Sequence, residues 1–218
     1  MITIDEARQL YAGAESAHDF DHVLRVLALA EHIARSEGAD LAVVRSAVLL
    51  HDIARNAERE TGADHAEAAA RRARTLLAER GAAPEFVEAV AAAVANHRFR
   101  GGGAPATLEA RILYDADKLD AIGAIGIARA YAVGGQTGQR LWSDVAADER
   151  LDPTNPRAHV PDHTPVREYV VKLARVKNTL FTKEARRIAR GRHRFMVAYF
   201  DRLAREVTGT CSVRCSYA

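Results

Sequence analysis

The stretch LAVVRSAVLLHDIAR, residues 41–55, decides the fold of this chain. Asp40 precedes it as a capping residue, and the segment becomes continuously apolar toward its end, which predicts a helix near the centre of a core. His51 follows the apolar residues before it at helical spacing, so its ring should be buried at the end of the run. Asp52 is its neighbour, and a metal ion near the helix end could contact both side chains.

Helical periodicity with matching start and stop residues recurs on both sides of this stretch. Alanine is abundant there and β-branched residues are sparse, which favours helix further. Asp19 or Asp21 could cap the first of these helices, and Gly38 suits its C-terminal end. We expect helices over about Asp21–Glu37, from Asp40 through residue 55, from after Asp64 to Gly81, from Pro84 to about His97, and from about Thr107 through residue 131 with a bend near Gly123.

A long proline-containing segment then interrupts the pattern at about residues 134–165. A loop of this length is typically a lid, a partner surface or a disordered segment. Two further helices are predicted, at about Val166–Thr179 and Thr182–Thr208. The sequence therefore predicts one all-α domain over residues 1–218, a helical bundle with its core at about 17–131, a long irregular loop, and C-terminal helices at about 166–208.

Composition excludes several classes of protein. The 218 residues carry 31 basic and 29 acidic side chains, for a formal net charge of +2, and this balance argues against nucleic-acid binding. The apolar runs are far shorter than a membrane span, and the N-terminus has no signal-peptide pattern. We expect a cytoplasmic protein that could form a homodimer through its amphipathic C-terminal helices.

Two more candidate ligands lie on other predicted helices. His22 shares a face with apolar residues, and Asp117 lies on an otherwise apolar stripe, where a carboxylate needs a cation or strong hydrogen bonds. Taken alone, each of these residues could have a purely structural role, since an inward-pointing histidine is often a hydrogen-bonded core residue. The segment DADKLD could likewise be a salt-bridged helix with Asp115 and Asp120 facing water. The coincidence of inward histidines and an aspartate on helices that a bundle brings together favours a metal site.

The donor types indicate which ion this site would hold. Two imidazoles and two carboxylates suit Mn, Fe, Co, Ni or Zn better than Mg or Ca, which prefer oxygen throughout. Four protein ligands in an octahedral site leave two positions for water and substrate. Such an ion can activate water and polarise a phosphoryl oxygen.

The order H…HD…D, formed by His22, His51-Asp52 and Asp117, resembles the HD-domain superfamily. The strings HDFDHVLRVLALA, LLHDIAR, NHRFRGGG, DADKLDAIGAIGIARA and RHRFM are similar to bacterial HD hydrolases of the YpgQ and YedJ type. This resemblance covers about Ala17–Leu203. It implies a helical fold with one divalent cation, often Mn, and hydrolysis of nucleoside triphosphates, including deoxynucleotides, to monophosphate and pyrophosphate.

The resemblance also implies roles for individual residues. The metal ligands would be His22, His51, Asp52 and Asp117. Residues near the last ligand, and two histidines bordering the pocket, would contact phosphate, transfer a proton or orient a ligand. The catalytic candidates are Lys118, Asp120 and His97. The substrate-binding candidates are His65, His97, Lys118 and Arg25, which lies one turn after His22; Arg55 joins them on the separate ground that it departs from the pattern of related nucleotidases.

One position departs from related nucleotidases. Those enzymes carry a glutamate three residues after the aspartate of the doublet, and this chain has Arg55 there. The departure argues against 5′-nucleotidase and guanosine-tetraphosphate hydrolase chemistry, and an arginine suits an anionic substrate. Lys172, Lys177 and Arg192 are more distant candidates for contacts with a polyphosphate.

Two other functions remain open at this point. Some HD proteins use two additional histidines to build a dinuclear centre, and His65 and His97 could do so here. That centre would serve a dinucleoside-polyphosphate hydrolase or, with iron, an oxygenase. The third possibility is a non-catalytic module that senses a nucleotide and signals through the long loop.

Overall fold

The computed structural model describes residues 2–11, 20–55, 65–98, 105–144 and 163–210. The described residues contain helices and no strands, which confirms the all-α prediction. In chain order the helices are α1 (Ile4–Leu10), α2 (Phe20–Glu37), α3 (Leu41–Leu50), α4 (His65–Glu79), α5 (Pro84–Ala95), α6 (Leu108–Leu119), α7 (Gly123–Gln136), α8 (Pro165–Val171), the 3₁₀ helix Leu173–Asn178, and α9 (Lys183–Thr208).

Most predicted boundaries agree with the structure. The Asp40 carboxylate accepts from the backbone N–H groups of Ala42 and Val43, at 2.8 and 3.2 Å, so it caps α3 as expected. Gly38 has φ +75°, the left-handed conformation that favours glycine after a helix. Asp21 lies inside the first turn of α2 and is not its cap, while Asp19 lies outside the described residues.

Several local predictions were wrong. The helix predicted to run through residue 55 ends at Leu50, and the one predicted over about Val166–Thr179 is α8 followed by the 3₁₀ helix. The segment from residue 108 to 136 forms two helices: the first ends at Leu119, and the second begins at Gly123, which has φ +80°. Helix α7 continues to Gln136, beyond the predicted start of the loop; residues 145–162 of that loop lie outside the described part. Helix α1 was not predicted, although Thr3 and Glu6 form a capping box that signals it.

Contacts group the chain into two compact units. The first comprises Met1–Leu119 and Leu180–Ala185, and the second comprises Asp120–Thr179 and Arg186–Ala218. In the first unit α2 packs on α3 and α6, α3 packs on α5 and α6, and α4 pairs with α5. Its core is aliphatic and alanine-rich, which lets these helices approach closely.

The second unit has an aromatic centre. Tyr169 of α8 stacks on Phe200 of α9 with ring centroids 4.2 Å apart, and both side chains are fully buried. Tyr131 of α7 meets Tyr199 edge to face. None of the helices in the described ranges is long and apolar enough to cross a membrane.

Candidate metal centre

His51 ends α3 with a completely buried ring. Its Nδ1 lies 2.7 Å from the carbonyl oxygen of Val48, which can only accept, so Nδ1 donates. The other nitrogen, Nε2, is buried and has no hydrogen-bond partner among the described residues. Burial lowers the pKa of His51 to about 4, so the ring is neutral near pH 7 and Nε2 keeps its lone pair. A buried, unused lone pair of this kind fits a metal ligand.

Donor atoms of three buried residues converge at this point. Ligand atoms of His22, His51 and Asp52 all lie within 4.8 Å of one another, and we call these residues the first cluster. Oδ1 of Asp52 is, like His51 Nε2, buried without a hydrogen-bond partner among the described residues. Asp117 lies beside the first cluster, with Oδ1 3.4 Å from Nε2 of His22. The structure therefore brings together all four residues that were predicted as ligands.

Each of the two carboxylates pairs with a cation through one oxygen and turns the other toward imidazoles. Oδ2 of Asp52 lies 2.9 Å from Nη1 of Arg55, and Oδ2 of Asp117 lies 2.8 Å from Nζ of Lys118. Both cations are about 30% exposed, whereas the carboxylates are 5% exposed for Asp52 and 19% for Asp117, so the cations extend toward solvent.

This pairing keeps both carboxylates ionised. Burial opposes the charge on Asp52, but the surrounding imidazoles and Arg55 hold the pKa of its carboxyl well below its usual range. Burial likewise opposes the charge on Asp117, and Lys118 and His22 hold its pKa well below the usual range. In turn, burial opposes the charge on Lys118, and Asp117 raises its pKa. Both carboxylates are therefore ionised, the state in which they could act as ligands for a cation.

A second group of donors shares Asp52. Ligand atoms of Asp52, His65 and His97 also lie within 4.8 Å of one another, and we call these residues the second cluster. Nε2 of His65 lies 3.3 Å from Oδ1 of Asp52 and 3.3 Å from Nε2 of His97. The rings of His51 and His97 meet edge to face at 5.2 Å, so the two clusters are continuous. The sequence had placed His65 and His97 at the border of the pocket, and they are completely or almost completely buried beside it.

Asp115 and Asp120 are buried, which corrects the alternative that they face water. Both carboxylates are at most 1% exposed. Asp115 accepts from the backbone N–H groups of Phe181 and Thr182 and from the Thr182 hydroxyl, at 2.7 to 3.2 Å, so it anchors the segment before α9. Its role is structural.

The remaining candidates have less direct positions. Asp120 belongs to the second unit, where its Oδ2 lies 3.2 Å from Nη1 of Arg129. Arg25 is half-buried on α2, one turn after His22.

The three more distant cations also lie in the second unit, each beside a partner there. Lys172 pairs with Glu168 at 2.6 Å, and Lys177 lies 2.7 Å from His193. Arg192 packs against Gly123 and is close enough to Asp120 to interact with its charge.

Sequence reasoning missed two residues that touch the site. The Tyr11 hydroxyl donates to the carbonyl of Leu49 and accepts from the N–H of Asp52, both at 3.3 Å, and so braces the end of α3. Nη1 of Arg98 lies 2.9 Å from Nδ1 of His65. Tyr11 gave no sequence signal, because it lies far from the doublet along the chain. Arg98 was inside a quoted motif, next to His97, but its direction could not be read from spacing.

Comparison with known proteins identifies the family. Residues 19–122 match the family model of the HD domain. The chain is also 31% identical over 206 residues to the uncharacterized protein YpgQ of Bacillus subtilis (strain 168), a match that covers 93% of this chain and 90% of that one. The chain belongs to the HD-domain superfamily.

Solved HD structures share the architecture. A predicted HD-superfamily hydrolase from an uncultured Thermotogales bacterium is 31% identical, with a TM-score of 0.67 over 93% of this chain and 90% of that chain. YpgQ of Bacillus subtilis in complex with ADP is 28% identical, with a TM-score of 0.71 over 96% and 97%. An HD-superfamily hydrolase from Bacillus thuringiensis is 27% identical, with a TM-score of 0.72 over 94% of each chain. This HD protein is therefore a hydrolase by family, and its His/Asp clusters could hold a metal ion.

Proposed function

We propose that this HD protein is a metal-dependent phosphohydrolase that cleaves nucleoside triphosphates, ribo- or deoxyribo-, to the monophosphate and pyrophosphate. One observation carries the metal dependence: His51 Nε2 and Asp52 Oδ1 are buried beside His22 without hydrogen-bond partners among the described residues. Leaving two polar atoms unpaired in this way is costly unless a ligand completes them. The mixed nitrogen and oxygen donors favour Mn, with Fe, Co, Ni or Zn as alternatives to it.

The ion and the protein have separate tasks in this proposal. His22, His51, Asp52 and Asp117 would hold a divalent cation, which when bound would supply Lewis-acid chemistry that makes water nucleophilic near neutral pH and polarises a phosphoryl oxygen. The protein orients this set: the Val48 carbonyl fixes the His51 ring, and the N–H of Asp52 is held by Tyr11.

The charges around the cluster favour a polyphosphate. Arg55 and Lys118 are held against the buried Asp52 and the half-buried Asp117 yet remain about 30% exposed, so their N–H groups can also reach anionic oxygens of a substrate. This supports their proposed role in substrate binding, with Arg25 as a further contact. The complex of the relative YpgQ with ADP supports a nucleotide as the ligand class.

The test is a substrate panel with defined products. Full-length protein loaded with Mn²⁺ is incubated with ribo- and deoxyribonucleoside tri-, di- and monophosphates, and pyrophosphate is resolved from orthophosphate. We expect pyrophosphate and monophosphate from triphosphates, and a loss on the order of 1,000-fold or more in kcat for Asp52→Asn. The exposed neighbour of His22 gives a matched control, Asp21→Asn, which should keep full activity. Orthophosphate as the sole product would refute the proposed cleavage position.

A non-catalytic nucleotide sensor predicts a different result. It would bind a nucleoside triphosphate in the presence of Mn²⁺ and show no turnover over the whole panel. Asp117→Ala would then bind nucleotide as well as the parent does, because no ligand of the ion would be needed for recognition.

A further inference from the structure

The second cluster resembles a metal site by residue type, and what decides its use is where the ring protons lie. Arg98 donates from Nη1 to Nδ1 of His65 at 2.9 Å. A guanidinium has only donors, so Nδ1 of His65 must be the accepting nitrogen, and the ring proton lies on Nε2. That is the nitrogen that faces Asp52 and His97.

The next ring continues the same chain of donors and acceptors. Nδ1 of His97 lies 2.7 Å from the carbonyl oxygen of Val94, so this nitrogen donates and Nε2 of His97 keeps a lone pair. Nε2 of His65 lies 3.3 Å from that lone pair and donates to it. The direction of each hydrogen bond in the chain from Arg98 through His65 and His97 to Val94 is therefore fixed. The Nε2 atoms of both histidines, which would have to bind an ion, are already used in this chain.

We propose that Arg98 restricts this HD protein to one metal ion by fixing His65 in the tautomer that cannot coordinate. This inference rests on the proposed metal centre and deepens it. For His65 to bind an ion through Nε2, its proton would have to move to Nδ1, where it would face the N–H of Arg98 at 2.9 Å. The guanidinium charge would also repel a second divalent ion. Arg98 is thus a positioning residue that acts through His65.

The role of His65 changes accordingly. The ring also lies against Asp52, with Nε2 3.3 Å from Oδ1, so it orients the carboxylate that the first cluster uses. In a dinuclear centre, histidines of this kind would bind a second metal ion. Here they orient a ligand of the single ion. This reading favours the mononuclear hydrolase over the dinuclear hydrolase or oxygenase.

Changing the hydrogen-bonding character of residue 98 tests the proposal. Full-length protein is loaded with excess Mn²⁺, desalted, and its metal content is measured by mass spectrometry. We expect about one ion per chain in the parent, and about two in Arg98→Glu, whose carboxylate accepts from Nδ1–H and leaves Nε2 free. Arg98→Lys keeps a cationic donor and should stay at about one. Adding His65→Ala to Arg98→Glu should return the content to about one.

Histidine ¹⁵N NMR reads the tautomers directly and does not depend on metal or on the folding of a variant at residue 98. In metal-free protein we expect the proton of His65 on Nε2, and those of His51 and His97 on Nδ1, with His65→Gln used to assign the first signal. A proton on Nδ1 of His65, or on both of its nitrogens, would overturn the proposal.

Metal counts separate this inference from the proposed function. Two ions in the parent, with one lost in His65→Ala, would refute the inference while triphosphate cleavage could stand. One ion in both the parent and a folded Arg98→Glu would refute it too. No turnover of any triphosphate, with one ion in the parent and two in Arg98→Glu, would refute the function and leave the inference intact. A parent that holds no ion would refute both.

Discussion

The two clusters of this HD protein share Asp52 and are built from the same residue types, yet they differ in their ring protons. In the first cluster, a backbone carbonyl fixes the His51 proton on Nδ1, and Nε2 is left buried with its lone pair unused. In the second, Arg98 fixes the His65 proton on Nε2, and that proton is donated within the cluster. Whether a histidine can bind a metal through Nε2 therefore depends on the group that contacts its Nδ1.

The largest expected effect comes from removing one imidazole of each cluster in turn. His51→Ala should abolish stoichiometric metal binding and lower kcat on the order of 1,000-fold or more, because it removes a ligand. His65→Ala should keep the ion and lower kcat by roughly 10- to 100-fold, because it removes only a support of Asp52. Metal content and kcat on the best triphosphate, measured on the same preparations, give the comparison. Equal metal loss in both variants would abolish the distinction between the clusters.

Acid stability tests the neutral state of His51 in the absence of metal. Its pKa is about 4 in the folded chain, against 6.5 for an unperturbed histidine, so between these values the unfolded chain binds more protons. The stability contributed by neutral His51 is thus complete above pH 6.5 and is lost by about pH 4. The free energy of unfolding should fall by about 3 kcal/mol over this range.

Urea denaturation of the chelator-treated protein at several pH values between 7 and 4.5 measures this slope. The window lies above 3.8, the ordinary pKa of an aspartate, and the pKa values of Asp52 and Asp117 are lowered from it in the folded chain, so both carboxyls contribute little to this slope. His51→Asn should flatten the curve. A parent whose stability is constant over the window would show that His51 is hydrated or charged, contrary to the geometry of the first cluster.

The sequence was sufficient for the helices because they follow from local signals. The Asp40 cap, the left-handed Gly38 and the apolar periodicity of α2 and α3 all act within a few residues. The break after Leu119 was predicted only as a bend near Gly123, because a glycine weakens a helix while tertiary packing decides whether the helix ends there. The capping box at Thr3 was a readable signal for α1.

From the sequence we could predict which residue types form the site and which helix faces carry them, but not the contacts between their side chains. Helical spacing indicated that His22 and His51 point inward, and the structure buries both. The same reasoning could not assign ring protons, since these depend on contacts such as that between Arg98 and His65, which lie 33 positions apart in sequence. It also allowed Asp115 to face water, although its partners lie 66 and 67 positions later.

The smallest expected effect concerns Tyr11, which holds the backbone of Asp52. Tyr11→Phe removes two part-buried hydrogen bonds of 3.3 Å and should lower the free energy of unfolding by about 1 kcal/mol. Metal affinity should weaken by less than about tenfold, because the side chains of the first cluster remain. Tyr169→Phe is a matched control, since that buried hydroxyl has no hydrogen-bond partner among the described residues.

Urea denaturation and Mn²⁺ titration of the two variants give the comparison, with Tyr169→Phe expected to stay within about 0.5 kcal/mol of the parent. A metal affinity unchanged by Tyr11→Phe, despite the expected loss of stability, would mean that the backbone of Asp52 is held by α3 alone. The arrangement of the first cluster would then depend on its ring contacts and ion pairs, and the difference between the two clusters would rest entirely on side chains.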